Sequence, residues 1–224
     1  MRASDFRAKA RENLAGSWGI SILAAFIAAI FGALLSASGS FNFEFNQDTI
    51  QNIPEFVLVI LACFGIVAGT LSLIQFILGG TVQLGYVKFL LKQYHHAQPE
   101  IKDLFSEFDR FGQGFLQYFL RNLYILLWAL LFVIPGIIKS YSYSMTPFIM
   151  EDNPNMAANE AITASRELMD GHKWDLFVLD LSFIGWGLLN ILTLGIGSFW
   201  LNPYKNASYA AFYRHLIAER NGII

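Results

Sequence analysis

The sequence predicts an all-α protein: a polytopic bundle of about six membrane helices with about two or three interfacial amphipathic helices, formed by residues 1–224 as a single integral membrane domain. Three observations lead there. Only 14% of the residues are charged while 55% are hydrophobic, against about 25% charged in an ordinary soluble domain, and the mean hydropathy is +0.46. Uncharged runs cover Trp18–Ser38, Phe56–Val87 and Leu181–Tyr204, each near or above the roughly 20 residues that span a bilayer as a helix. No lysine or arginine occurs between Arg11 and Lys88, so basic residues are gathered at particular turns of the chain, as the positive-inside rule requires of cytoplasmic segments.

Taken in order, residues 3–14 put Ala3, Phe6, Ala10 and Leu14 on one side of a helix and Arg7, Arg11 and Glu12 on others, a pattern suited to the interface. The run from Trp18 to Ser38 is the first membrane helix; it exceeds the roughly 7 to 15 residues of a signal-peptide core. Residues 39–55 are polar, without lysine or arginine, and are assigned outside, with the N-terminus inside. The second helix starts at Phe56 and is longer than one crossing, so it tilts or projects into the cytoplasm as far as Gln93. Gly65 and Gly69 form a GxxxG pair suited to close packing within the bundle, Gly79-Gly80 and Gly85 are candidate bend positions, and Cys63, the one cysteine, reads as a small buried hydrophobe.

After Lys88 and Lys92, His95-His96 read as a solvated loop. Ile101, Leu104, Phe105, Phe108 and Phe111 recur at helical spacing, with Lys102, Asp103, Glu107 and Asp109 facing elsewhere, which predicts an amphipathic helix on the inner leaflet. The third membrane helix runs from about Phe115 to Ile134, with Arg121 snorkelling near its cytoplasmic end. At Pro135-Gly136 two courses compete: a kink that leaves Glu151 outside, or a reversal into a short returning helix that ends near Met150. Arg166 and Lys173 favour the reversal.

Asn153-Pro154 reads as an N-cap followed by proline at the first helical position, opening an interfacial helix with Ala158, Ala161, Ile162, Ser165, Leu168 and Met169 on one face. Gly171 ends it. The remainder fits two helices separated near 193–197, with Asn202-Pro203 as an interruption. Arg214 and Arg220 return the C-terminus inside for six crossings; a five-crossing alternative ends in an amphipathic helix over 204–218 and leaves it outside.

The wording of the second half resembles a known family. Pro135-Gly136-Ile137-Ile138-Lys139, Tyr141-Ser142-Tyr143-Ser144-Met145, Ser165-Arg166-Glu167-Leu168-Met169, Gly171-His172-Lys173-Trp174, Leu181-Ser182-Phe183-Ile184-Gly185-Trp186, Pro203-Tyr204 and Phe212-Tyr213 together resemble the bacterial membrane proteins grouped as domain of unknown function 975. More distantly, the proline-glycine break and the terminal tyrosine-containing helix are similar to the membrane domain attached to some glycerophosphoryl diester phosphodiesterases. The resemblance implies a multi-pass protein of the bacterial cytoplasmic membrane, and it brings no activity with it.

Ionisable residues inside membrane segments are costly and mark function by default. Lys139, Asp180 and Lys205, with Asn190 and Asn202, are the candidate lining of a hydrated cavity for the polar part of a lipid or other amphiphile. The competing reading has each charge at an interface or paired within the bundle. HExxH, GxSxG and phosphate-binding glycine loops do not occur in the sequence, so the expectation is a non-enzymatic accessory or lipid- and partner-binding protein without cofactor or metal. Its partners would be membrane lipids, another membrane protein or an amphiphilic ligand. The alternative is a transporter or flippase for an amphiphilic solute. A net charge of −2 gives no reason to expect nucleic acid.

Overall fold

Glycines set the closest helix contacts in this protein. The computed structural model describes residues 3–30, 55–193 and 197–223, and every described element is helical: α1 (Ala3–Leu14), α2 (Trp18–Ile30), α3 (Glu55–Tyr94), a 3-10 segment (Ile101–Arg110), α4 (Phe111–Leu131), α5 (Val133–Ser142), α6 (Thr146–Asp152), α7 (Ala158–Leu168), α8 (Lys173–Leu181), α9 (Ile184–Leu192) and α10 (Ser198–Arg220). With 40 residues, α3 is about 60 Å long. It runs as one continuous helix through Gly80 and Gly85. A Cβ on Gly80 would collide with the Gly114 carbonyl and lie 2.7 Å from the Tyr118 Cβ, and one on Gly85 would lie 2.7 Å from the Asp103 carbonyl oxygen. Glycine is there because another backbone approaches.

Three antiparallel pairings follow. The 3-10 segment and the start of α4 run back along α3, with Lys88–Glu107 at 2.7 Å and Lys92–Asp103 at 2.6 Å. At the top of α4, Phe132 is extended (φ −158, ψ 143) and the chain reverses. Gly136 then packs on Ala129, Tyr143 lies 6.4 Å from Tyr124 between ring centroids, and Glu151 reaches Arg110 at 3.2 Å. The reversal, not the kink, is therefore the course of the chain. The break falls three residues before Pro135, which sits in the first turn of α5, where its missing N–H costs nothing. The return is made in two pieces, α5 and α6, because the backbone leaves the helix at 143–145.

The third pairing lays α8 and α9 against α10, through His172–Glu219 at 4.0 Å, Asp180–Lys205 at 3.0 Å, Phe183–Tyr204 at 5.2 Å between centroids, and Asn190 beside Gly197. A break at Ser182-Phe183 separates α8 from α9, and the freed Ser182 carbonyl accepts a hydrogen bond from Arg7 at 3.3 Å. Asn202-Pro203 is not an interruption: α10 continues through it, with Pro203 buried inside the helix.

The N- and C-terminal helices also lie antiparallel, Phe6 against Phe212 and His215, and Leu14 clustered with Ala207. The faces read from periodicity in α1 and α7 are the buried ones. Phe6, Ala10 and Leu14 are at most 3% exposed, and Ala158, Ala161, Ile162, Ser165, Leu168 and Met169 at most 7%. Gly171 ends the latter helix with φ +84. That helix begins later than predicted, however. Asn153 is the C-terminal cap of α6, its Nδ2 donating to Ile149 O at 3.0 Å, and the first turn of α7 is held by the Glu160 carboxylate accepting from Ala157 N at 3.1 Å.

The segment over 101–110 corrects the sequence reading more strongly. It is a 3-10 helix, and Asp103 and Glu107 are 3% and 4% exposed whereas Phe105 and Phe108 are 41% and 38% exposed. Lys88 and Lys92, one turn apart on α3, draw the two acids inward and leave the rings outside.

Two helical segments, Ser72–Tyr94 and Ile101–Leu131, are long and apolar enough by length and composition to cross a membrane. Large apolar side chains lie exposed from Leu126 to Ile138 and over Leu181–Leu189, including Leu130, Phe132, Val133, Ile134, Trp186 and Leu188. Among the described residues nothing lies within 4 Å of a Cβ placed on Gly69; the GxxxG pairing expected with Gly65 lies outside the described side chains. Cys63, Gly65 and the polar loop over 39–54 lie outside the described side chains. His95 and His96 are exposed.

Candidate functional site: a polar chamber between the hairpins

The helices line a partly open chamber of about 650 Å³. Arg121 and Asn122 enter from α4, Ser140 and Tyr141 from α5, Asp180 from α8, Asn202, Lys205, Asn206 and Tyr209 from α10, and Gln83 and Tyr86 from α3. The reversal after α4 and the α8–α10 pairing bring these residues to one level.

At its centre is Asp180. Its carboxylate accepts hydrogen bonds from the hydroxyls of Tyr141, at 3.1 Å, and Tyr209, and lies 3.0 Å from the Lys205 ammonium. Lys205 also lies 5.6 Å from the Tyr209 ring centre. Three donors around one carboxylate hold it in place.

Of the five residues predicted to line a cavity, Asp180, Asn202 and Lys205 do so. Lys139 does not: its Nζ stands 4.7 Å over the Trp128 ring, at the reversed end of the α4–α5 hairpin, where a cation–π contact takes the place of a polar partner. Asn190 is also elsewhere, in the last turn of α9, its Oδ1 3.0 Å from where a Gly197 Cβ would stand.

Arg121 is the residue the sequence reading placed wrongly. It is 6% exposed and faces the chamber from the midpoint of α4, so it does not snorkel from a helix end. The difference lies in where the helix starts: with α4 at Phe111–Leu131 and not from about Phe115, ten residues stand on either side of it. Among the described residues no carboxylate pairs with it. The Tyr118 ring lies 5.9 Å away, and Nε is buried without a hydrogen-bond partner.

Below the chamber is a layer of ion pairs. Glu107 is shared between Lys88 and Arg110, Arg110 also reaches Glu151, and Asp152 takes Arg214 through two 3.0 Å bonds together with the Tyr213 hydroxyl at 2.8 Å. Burial, together with the neighbouring Glu107 carboxylate, raises Glu151 from its ordinary value to about 7, outweighing the cations Lys88 and Arg110. No group of three or more metal-ligating side chains occurs among the described residues.

Fold and site together describe an all-helical protein with long apolar helices around a polar, ion-paired chamber. The chain belongs to the family described as protein of unknown function (DUF975), whose model matches residues 1–139 and 130–220. No curated protein and no solved structure matches it.

Proposed function

We propose that the protein is a multi-pass integral protein of the bacterial cytoplasmic membrane, without catalytic activity of its own, that receives the polar part of an amphiphile between its helices. The observation that carries this reading is the chamber itself. Asp180, Lys205, Asn202 and Asn206 converge on an internal space, while the helices around it turn Leu130, Phe132, Ile134 and Leu188 outward. Exposed apolar surface of that extent belongs against lipid or another apolar partner. A polar interior behind it suits a headgroup whose tails leave between helices.

In this reading α2, α3, α4, residues 133–150, the α8–α9 pair and α10 make six crossings. The antiparallel packing of α1 on α10 supports an even number, because it sets both termini at one end. The ion-pair layer, with Lys88, Lys92, Arg110 and Arg214, lies at that end, which suits the cytoplasmic side.

The test has two arms. Membranes containing the full chain are washed with alkaline carbonate, and single cysteines at His96 and Ile134, introduced after Cys63→Ala, are labelled from either side. Release of the chain by the wash, or labelling of both sites from the same side, excludes the topology. Purification in mild detergent followed by native mass spectrometry then tests the ligand, and a chain that retains no amphiphile under any lipid supply overturns the binding function.

A transporter or flippase is the second reading. It is favoured by the depth of the chamber, level with Arg121 at the middle of α4, where alternating-access sites lie. Movement of labelled amphiphile across proteoliposomes separates it from static binding.

A further inference from the structure

We infer that the chamber binds the phosphate oxyanion of its amphiphile and that Arg121 is the residue that holds it. This rests on the reading that the chamber receives an amphiphile, and it names the charge of the headgroup. Among the described residues, three charged ones line the chamber: Arg121, Asp180 and Lys205. Asp180 and Lys205 neutralise each other at 3.0 Å, and two tyrosine hydroxyls occupy further acceptor positions on the carboxylate. Two cations and one anion leave a formal charge of +1, and that charge is Arg121.

An arginine residue only 6% exposed with no described carboxylate beside it is a costly arrangement. Burying an ion is unfavourable by several kcal/mol unless a counter-charge and hydrogen bonds offset it. The Tyr118 ring at 5.9 Å offers only a weak substitute. Nε is orphaned, and so is the Tyr86 hydroxyl, buried in the wall of the same chamber. Orphaned buried donors point to an acceptor that occupies the space between helices.

Phosphate fits this donor set. Arginine presents a planar fork that matches two phosphate oxygens, and a hydroxyl and the side-chain amides of Asn122 and Gln83 in the same wall can serve the others. The amides give no net charge, so the preference for an anion falls on Arg121.

The full chain in uncharged detergent is titrated with phosphatidylglycerol, with diglucosyl diacylglycerol carrying the same acyl chains, and with inorganic phosphate alone, and read by native mass spectrometry for wild type, Arg121→Gln and Arg121→Lys. A charge-assisted arginine contact predicts a preference for phosphatidylglycerol over the glycolipid of at least about tenfold. Arg121→Gln abolishes the preference by bringing phosphatidylglycerol binding down towards that of the glycolipid, and Arg121→Lys keeps part of it. If Arg121→Gln does not fold, the lysine variant and competition by inorganic phosphate on the wild type carry the same decision.

Equal retention of both lipids by wild type overturns the anion site and leaves the amphiphile reading standing. Binding of inorganic phosphate through Arg121 with neither lipid retained upholds the oxyanion site, makes the free anion its source and overturns the amphiphile reading. Binding of none of the three probes overturns both.

Discussion

A Cβ on Gly80 would run into the carbonyl oxygen of Gly114, so at this point α3 and α4 touch backbone to backbone. The contact holds the chamber's α3 wall, Gln83 and Tyr86, against its α4 wall, Arg121 and Asn122. Gly80→Ala must therefore force the two helices apart, at about 3 kcal/mol or more. Gly69→Ala, on the same helix with nothing within 4 Å, should be neutral or stabilise by up to about 1 kcal/mol through helix propensity. Thermal melting in detergent checks the pair; equal effects at both sites contradict the close approach.

Asp103 and Glu107 give a second prediction. Each is nearly inaccessible and each meets one lysine of α3. Lys92→Met leaves the Asp103 carboxylate buried with only the Glu100 N–H, 2.9 Å away, still donating to it. The expected loss is about 2 kcal/mol, below the 3–5 kcal/mol typical of a fully buried pair because Lys92 is partly exposed. Lys92→Met with Asp103→Leu should recover much of it, and a double-mutant cycle with no coupling would show the pair to be idle.

The raised Glu151 gives a pH dependence of stated sign. Its carboxyl binds a proton more tightly when folded, at about 7 against an ordinary 4.5. Its contribution to stability is complete below 4.5 and is lost as pH rises through about 7. Glu151→Gln should flatten the fall in melting temperature across that window and be the more stable protein on its alkaline side. Parallel curves for wild type and variant would mean that Glu151 titrates normally.

Arg214 and Asp152 tie α10 to the end of the returning pass through two parallel bonds, both 3.0 Å. Arg214→Lys keeps the charge and loses the fork. A destabilisation of about 1 kcal/mol is expected, with little further loss in Arg214→Met. If lysine proves as good as arginine, the paired geometry contributes nothing and only the charge matters.

Much of this molecule is legible from local pattern. The apolar runs locate the long helices, the 3.6-residue period finds the buried faces of α1 and α7, and Gly171 stands where a helix ends with φ +84. Asp180, Asn202 and Lys205 were marked as cavity residues because a charge or amide in an apolar run needs a polar environment. The same rule marked Lys139 and Asn190, but Lys139 stands over the Trp128 ring, and the Asn190 Oδ1, in the last turn of α9, is buried without a described hydrogen-bond partner.

The reversal that began as a break at Pro135-Gly136 shows where local reading stops. Sequence by itself determined that the chain is helical and apolar, that a break falls near residue 135, and which small set of polar residues needs partners. Only the tertiary structure decided who those partners are. Asp103 and Glu107 turn inward because Lys88 and Lys92 wait on another helix, glycines 80 and 85 are points of close backbone contact, and Arg121 faces a chamber instead of an interface. Hydropathy and periodicity are properties of neighbours along the chain, whereas the counter-charge of a buried group stands on a different helix, 19 residues away for Glu107 and Lys88. For Arg121 no described residue supplies it.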